Sequence, residues 1–420
     1  MAVFPNLLCY TILLFQFLTT LTLLVLTPKS SSLRSIYLPL MTCMAYLESA
    51  LVSVADQNIF VQVATNGWPF TMLMHQTNLL LITAVDLTAQ QNTRDRLASA
   101  LTILPSPRGI GTDWQAKNVP DFPAVFRALP PKRGQFLRRQ MAIAAWQGAL
   151  MALVFSLFIT HNLWDSDGSY LYRSGREFSY ANPSVAQLLA RVRVTWTIGL
   201  PISMLFLDSQ YRICSALCAA VGWSSPASWP PLFGSLGDAY TVRGFWGKSW
   251  HQYLRWPFTS MSTAITTRVL RLPKPSLPER YLNLTIVFLL SGTMHVTANV
   301  TSGITNGNPG TLLFFLAQAG AIILEDTVQH CWTVLQRRRG VIEMEMETPI
   351  WQRCVGFVWV FCWMGATYPL WWYPIMRALV VYNWSGVLGV LQALGLSLSS
   401  LLAVVVGGGV VLRVLFGAEI

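Results

Sequence analysis

Apolar residues in this chain gather into long runs. Such runs lie at 6–27, 35–54, 69–90, 141–160, 188–208, 283–303, 310–332, 351–373 and 386–412. Each is close to the roughly 20 residues that an α-helix needs to cross about 30 Å of hydrocarbon. Their periodicity is helical or continuous, and no stretch alternates as a half-buried strand would. Two runs carry polar interruptions: Glu48 in the second, and His75, Gln76 and Asn78 in the third. These two are open to packing inside a bundle rather than facing lipid. The first run has no basic residue ahead of it and is too long for the apolar part of a signal peptide. Lys29 and Arg34 follow it, so it reads as a retained helix with its amino end across the membrane.

Composition agrees with this reading. Of 420 residues, 53% are hydrophobic and 11% charged, against about 25% charged in soluble domains. Mean hydropathy is +0.46. The expected fold is all-α: a polytopic helical bundle in the membrane, with about 8–10 transmembrane helices and interfacial amphipathic helices. No internal repeat is visible, so residues 1–420 are expected to form one domain.

The net charge is +11, and its placement matters more than its size. Basic residues crowd 91–140 and 224–282, and Arg337, Arg338 and Arg339 follow the seventh run. If these three loops are cytosolic, the nine runs alternate without a skip and the positive-inside rule is met. Loops 55–68, 162–187, 304–309 and 374–385 then face the lumen, where Asn383-Trp-Ser385 would be a glycosylation sequon. Basic residues set between membrane runs argue against nucleic acid as a partner. They suit membrane lipids of negative charge, or the phosphates of a cofactor. The seven cysteines show neither a disulfide framework nor a zinc pattern, and no metal is expected.

Two segments carry candidate chemistry. The first is Arg243-Gly-Phe-Trp-Gly-Lys-Ser-Trp-His-Gln-Tyr-Leu-Arg255. Read as a helix over 243–257, it places Trp246, Trp250, Tyr253 and Pro257 on one side, and Lys248, Gln252 and Arg255 on another. One reading is an interfacial anchor, aromatic toward the membrane and basic toward water. The other is that the basic face holds a cofactor's phosphates, with Gly244 and Gly247 letting backbone approach the ligand. The second segment is the run at 283–303, with His295 near its middle. Desolvation disfavours a charged imidazole, so this ring is expected to be neutral and able to take a proton. Ser291, Gly292 and Asn299 share its face and would make that face small and polar. His75 and His330 are expected to be structural, and His161 a lumenal loop residue. In the next run, Gln318, Glu325 and Gln329 share a face, and either Glu325 or Asp326 could pair with an arginine of 224–282.

Taken together, Pro231-Leu-Phe-Gly234, Arg243-Gly-Phe-Trp-Gly-Lys-Ser-Trp-His-Gln252 and Ser291-Gly-Thr-Met-His295 resemble the wax synthase-like branch of the membrane-bound O-acyltransferase superfamily. The match covers roughly 230–330, the motif core. The chain also resembles the fungal members of that branch that acetylate terpenoid and meroterpenoid alcohols in secondary-metabolite pathways. The resemblance implies a tunnel through the bundle, with acyl-CoA (acetyl-CoA) as co-substrate, no permanently bound cofactor, and a hydrophobic alcohol as acceptor. It maps the catalytic histidine onto His295 and a second polar position onto His251. Trp246, Gly247, Lys248, Trp250, Gln252, Arg255, Ser291 and Asn299 would line the acyl-CoA site or tunnel, with Gln318 and Glu325 supporting them from behind. The expected location is the endoplasmic reticulum, with the motif loop facing the cytosol. Competing readings are a long-chain wax ester or sterol acyltransferase and a transporter. A transporter would be favoured by an inverted repeat, and none is visible.

Overall fold

The computed structural model describes residues 3–54, 62, 66–123, 131–160, 171–305, 307–338, 348–381 and 397–416. Every regular element among them is helical. His161, Arg339, the Asn383-Trp-Ser385 sequon and the start of the run at 386–412 lie outside the described residues.

Helices α1 (Val3–Leu26) and α2 (Ser32–Val54) pack together as a hairpin. α3 (Trp68–Thr77) continues through a π-helical turn at Asn78–Ile82, and α4 (Thr93–Ile103) follows. α5 (Arg133–Thr160) packs on α6 (Val185–Ala220), which contains a π-helical stretch at Arg193–Gly199. After the motif segment come α7 (Arg255–Ala264), α8 (Leu277–Thr301) and α9 (Asn308–Arg338). The fold finishes with α10 (Ile350–Thr367), α11 (Pro369–Val381) and α12 (Leu398–Phe416). By length and composition, four described helices can cross a membrane, or five if the pair α10–α11, bent by 50°, is one span.

Polar contacts tie helix ends together at each end of the bundle. At one end, Arg34 Nη1 donates to the Val85 carbonyl at 2.8 Å, and Arg34 Nη2 to that of Thr27 at 2.7 Å. The loop after α1 and the loop after α3 therefore meet. At the other end, Asn66 Nδ2 donates to Ser302 Oγ at 2.8 Å, which joins the start of α3 to the end of α8. The third run thus traverses the bundle, but it is shorter than its hydropathy predicts. It ends at Ile82, and Ala84 turns the chain with φ 50°. Its polar residues are buried: His75 and Asn78 are fully enclosed, as is Glu48 of α2. The expectation that these runs pack inward is met. Residues 83–123 and 221–276 lie together at the basic end of the bundle, joined by Arg108 to Pro230 and Pro231 and by Asn118 to Gly247.

The bundle coheres by close packing and buried hydrogen bonds, since lipid is as apolar as the side chains it would displace. Between α5 and α6, Gln147 Nε2 donates to Asp208 Oδ2 at 2.6 Å, and Arg212 bridges Asp208 and Gln140. α12 lies on α5, where Trp146 Nε1 donates to the Val405 carbonyl at 2.8 Å. α4 sits at the basic end and buries Ala100 and Ile103 against the α1–α3 core, as an interfacial amphipathic helix would. Gly292 packs against Leu312 and Phe315 of α9. Its smallness serves helix packing, not the ligand space expected from sequence.

One close approach fixes the position of α11. The break at Tyr368 swings this helix across the α8–α9 connection. A Cβ at Gly310 would stand 2.6 Å from the Leu370 carbonyl, so a side chain there must push α11 away. We expect Gly310→Ala to lower the thermal midpoint in detergent, by an amount equivalent to about 1–3 kcal/mol of overpacking. Gly320→Ala, with nothing within 4 Å of the added carbon, should be neutral or raise the midpoint through helix propensity, worth at most about 1 kcal/mol. Equal shifts in the two variants would remove the packing argument.

Candidate active site

The motif is not one helix. Thr241 Oγ1 accepts the Gly244 N–H and caps a short turn at Val242–Gly244. The backbone then widens into a π-helical turn at Phe245–Ser249, and Trp250 is extended with ψ 156°. Residues 250–254 are irregular, and helix resumes at Arg255. The predicted amphipathic helix over 243–257 is therefore overturned, and so is its aromatic face toward lipid. Trp250 is buried with Phe245, Phe288 and Phe314 in the main core, and Trp246 packs against them.

A buried frame holds this irregular stretch. Glu325 on α9 accepts the backbone N–H of Val242 at 2.5 Å and of Arg243 at 3.0 Å, and the Trp359 indole at 2.8 Å. Gln318, two turns earlier, accepts the indole N–H of both Trp246 and Trp363 at 3.2 Å. Its amide donates to the Phe314 carbonyl and to Thr367 Oγ1. Asp326 binds Arg243 at 2.6 Å and Arg280 at 2.9 Å. The expected pairing of an α9 carboxylate with an arginine of 224–282 is thus present, on Asp326. On the other flank, the Gly234 N–H donates to the Ser249 carbonyl at 3.0 Å, and Arg108 donates to the carbonyls of Pro230 and Pro231 at 2.7 Å. Phe233 packs edge-on against both Trp250 and His251.

Beside this frame lies a cavity of about 1970 Å³. His295, His251, Trp246, Gly247, Lys248, Trp250, Gln252, Arg255, Ser291, Asn299 and Glu325 all line it, and Gln318 stands behind the wall. His75 and His330 do not line it: His75 is bound to the Leu104 carbonyl at 3.1 Å, and His330 is exposed on α9. At the basic end the mouth carries Lys117, Lys248, Lys274 and Arg280 beside Asp113 and Asp238. The cavity then runs along α8 to His295. At 1.5 Å per residue, that ring sits roughly 27 Å from Leu277 and roughly 9 Å from Thr301. It is well past the middle of the helix, deeper from the basic end than the run at 283–303 suggests.

The sequence-predicted residues divide by what they touch. His295 stacks on Phe315 at 4.7 Å and meets Trp371 at 4.4 Å. No hydrogen bond to its ring nitrogens is present among the described residues, so both remain available to a ligand. His251 lines the same cavity as His295, and its Nδ1 is buried without a partner. Burial, and secondarily the charge of Arg108, push His251 down to about 4. Asn299 donates to Thr311 Oγ1 at 3.1 Å, which ties α8 to α9. Gln252 and Arg255 are largely consumed as braces. Gln252 donates to the carbonyls of Trp246 and Trp250, and Arg255 to Gly247 O and Gln252 Oε1. Burial lowers the Arg255 pKa. Lys248 is exposed, with Asp238 at 3.6 Å. Gly247 has open space where a Cβ would be, whereas a Cβ on Gly244 would collide with the Asp238 carbonyl. Only the first can bring backbone to a ligand. Among the described residues no cluster of His, Cys, Asp or Glu suits a metal.

Sequence reasoning gave no site role to Arg108, Phe315 or Trp371, and it met Phe233 only inside the Pro231-Leu-Phe-Gly234 motif. Trp371 had a usable signal: Tyr368-Pro-Leu-Trp-Trp-Tyr373 places a proline-marked break and four aromatics inside a predicted span.

A model of the membrane bound O-acyl transferase family matches residues 229–317. Acetyltransferase atnC of Arthrinium sp is 36% identical over 380 residues, covering 86% of each chain. Acetyltransferase cdmC of Talaromyces verruculosus is 32% identical over 420 residues and 96% of each chain. Acetyltransferase nanB of Aspergillus nanangensis is 35% identical over 382 residues, 87% of this chain and 89% of its own.

The His251 environment gives a pH test of stability. The folded ring takes no proton until about pH 4, whereas an unfolded histidine does so near pH 6.5. Between these values the unfolded chain binds more protons, so stability must fall as pH falls. His251→Gln should make the decline in thermal midpoint between pH 7 and pH 4.5 shallower by a few degrees. An unchanged slope would place the ring in a more polar setting.

Proposed function

The chain belongs to the membrane bound O-acyl transferase family, and from that premise we propose that it carries an acetyl group from acetyl-CoA to a hydroxyl of a hydrophobic terpenoid or meroterpenoid, in secondary-metabolite biosynthesis. The enzyme is an O-acyltransferase in an integral membrane fold; donor, acceptor and residue roles are the proposal. One observation carries it: a single cavity joins a lysine-bearing mouth to a histidine deep in the bundle whose ring nitrogens have no protein partner among the described residues. Cations at the mouth suit the phosphates of coenzyme A. An apolar chamber with few polar groups suits a hydrophobic acceptor. The relatives' shared name, acetyltransferase, supports the two-carbon donor.

In this reading His295 takes the proton of the acceptor hydroxyl as general base. The oxygen bonds to the thioester carbonyl carbon, and the tetrahedral oxyanion collapses with cleavage of the C–S bond. The CoA thiolate leaves toward the mouth, and the proton held by His295 passes to it as free thiol. His251, or backbone N–H near Gly247, steadies the oxyanion, where losing one donor costs about 3–4 kcal/mol of barrier. Enclosure inside the bundle limits hydrolysis of the thioester. Placed by the positive-inside rule, the mouth faces the cytosol of an endoplasmic reticulum membrane.

His295→Ala should abolish transfer while the protein still inserts and purifies normally, and retained turnover would remove the proposed base. Lys248→Ala should raise KM for acetyl-CoA with little change in kcat. Arg255→Ala should raise KM and lower kcat together, because Arg255 also braces the Gly247 carbonyl. An unchanged KM in both would remove these side chains from the proposed coenzyme site. The acceptor is identified by mass spectrometry of products from microsomes given labelled acetyl-CoA and a panel of terpenoid alcohols. Absence of labelled ester across the panel would overturn the acceptor class.

A further inference from the structure

The deep end of the cavity is walled by α11, and the wall is built to stay where it is. After the 50° bend, Trp371, Ile375 and Leu379 follow at one-turn intervals along one face of α11, and all three line the cavity. The Trp371 ring lies 4.4 Å from His295, 5.3 Å from Phe315 and 5.7 Å from Phe314. It is 8% exposed, so neighbours pin it on nearly every side. The back of α11 is latched. Arg377 grips the buried Glu177 carboxylate through Nη2 at 3.1 Å and Nη1 at 3.2 Å, and donates to the Tyr172 carbonyl at 2.8 Å. Tyr373 packs edge-on against Tyr172 at 5.1 Å. A helix seated against backbone at Gly310 and tied by a buried ion pair cannot retreat cheaply.

We propose that Trp371 sets the length of the acyl group that this enzyme transfers. The inference rests on the reading that transfer occurs at His295, and it adds the residue that bounds the donor. A coenzyme with its phosphates at the lysine-bearing mouth presents its thioester to His295 with the acyl group leading, away from the mouth. On the α11 side of that imidazole stands the Trp371 indole, 4.4 Å from it. A two-carbon acyl group stops short of it. A longer chain must displace a ring packed among aromatic neighbours, and in close-packed interiors even one methylene is felt.

The test is an acyl-CoA series (acetyl, butanoyl, hexanoyl and palmitoyl) with one fixed acceptor, run on the full-length enzyme in detergent or vesicles. Wild type should prefer acetyl. Trp371→Ala should raise the hexanoyl-to-acetyl ratio of kcat/KM by about tenfold or more, the lower end of what one methylene is worth in an apolar pocket. Trp371→Phe should fall between the two. Ile375→Ala, one turn further along, should shift the ratio in the same direction by less, and it carries the test if Trp371→Ala does not purify as a folded protein. An unchanged ratio in the folded variants overturns the assignment. So does a wild type that uses palmitoyl-CoA as readily as acetyl-CoA, or a change in acceptor preference with the acyl profile intact. Failure of the wild type to transfer from any acyl-CoA would instead overturn the reading of the site, and this inference with it.

Discussion

The structure depends on satisfying irregular backbone inside an apolar bundle. An α-helix supplies its own hydrogen bonds; the stretch from Phe245 to Leu254, a π-helical turn followed by irregular backbone, supplies only some of them. Away from water, each unpaired N–H or C=O costs several kcal/mol. The partners come from side chains held in place by the surrounding fold. Glu325 takes two N–H groups at the start of the turn, Gln252 serves two carbonyls within it, and Arg255 and Asn118 both donate to Gly247 O. The break turns Trp246, Trp250 and His251 toward one cavity, which no straight helix over those positions could do. Glu325, on the cavity wall, and Gln318, behind it, thus shape the site by holding its backbone and its indoles.

The same constraint explains how the positive charge is divided. Several arginines are bound to backbone carbonyls at loop and helix ends: Arg34 to Thr27 and Val85, Arg96 to Thr88 and Gln90, Arg108 to Pro230 and Pro231, and Arg191 to Ala366, Arg176, Glu177 and Ser179. A planar guanidinium with five donors suits that task, and a lysine does not. Lys117, Lys248 and Lys274 instead stand exposed around the cavity mouth. The net charge of +11 is therefore mostly architecture where it is arginine, and chiefly surface potential where it is lysine.

Much of this was legible in the sequence because hydropathy reports burial in lipid directly. The apolar helices and the inward packing of Glu48, His75 and Asn78 follow from that single property. So does the selection of His295, since a polar ring in an apolar run must face a partner or a cavity. The motif's conformation was not legible. Spacing over 243–257 fits an amphipathic helix, and nothing local announces that Glu325, some eighty residues away, will stabilise a break. Tertiary partners override periodicity here, and the aromatic face that looked suited to lipid is core. The glycines misled for a related reason. Gly244 and Gly292 make room for protein, and only the packed structure separates them from Gly247, which faces open space.

Depth along α8 ties these strands together. With His295 roughly 27 Å from the basic end of its helix, a ligand held at the mouth by its phosphates reaches the imidazole only if it is long and narrow. Whatever it carries must then lie between His295 and α11. The bundle thus imposes an order on the cavity: charge at the mouth, the braced motif along one wall, the imidazole near the end, and an aromatic wall beyond it. A hydrophobic acceptor cannot share the charged mouth without desolvating lysines. The apolar flank between α6 and α11, where Ile202, Phe206 and Ile375 line the cavity, is the part of the chamber whose chemistry matches it. On the proposed reading, two substrates of opposite character would be directed to one imidazole by different walls, one built from broken backbone and the other from intact helix.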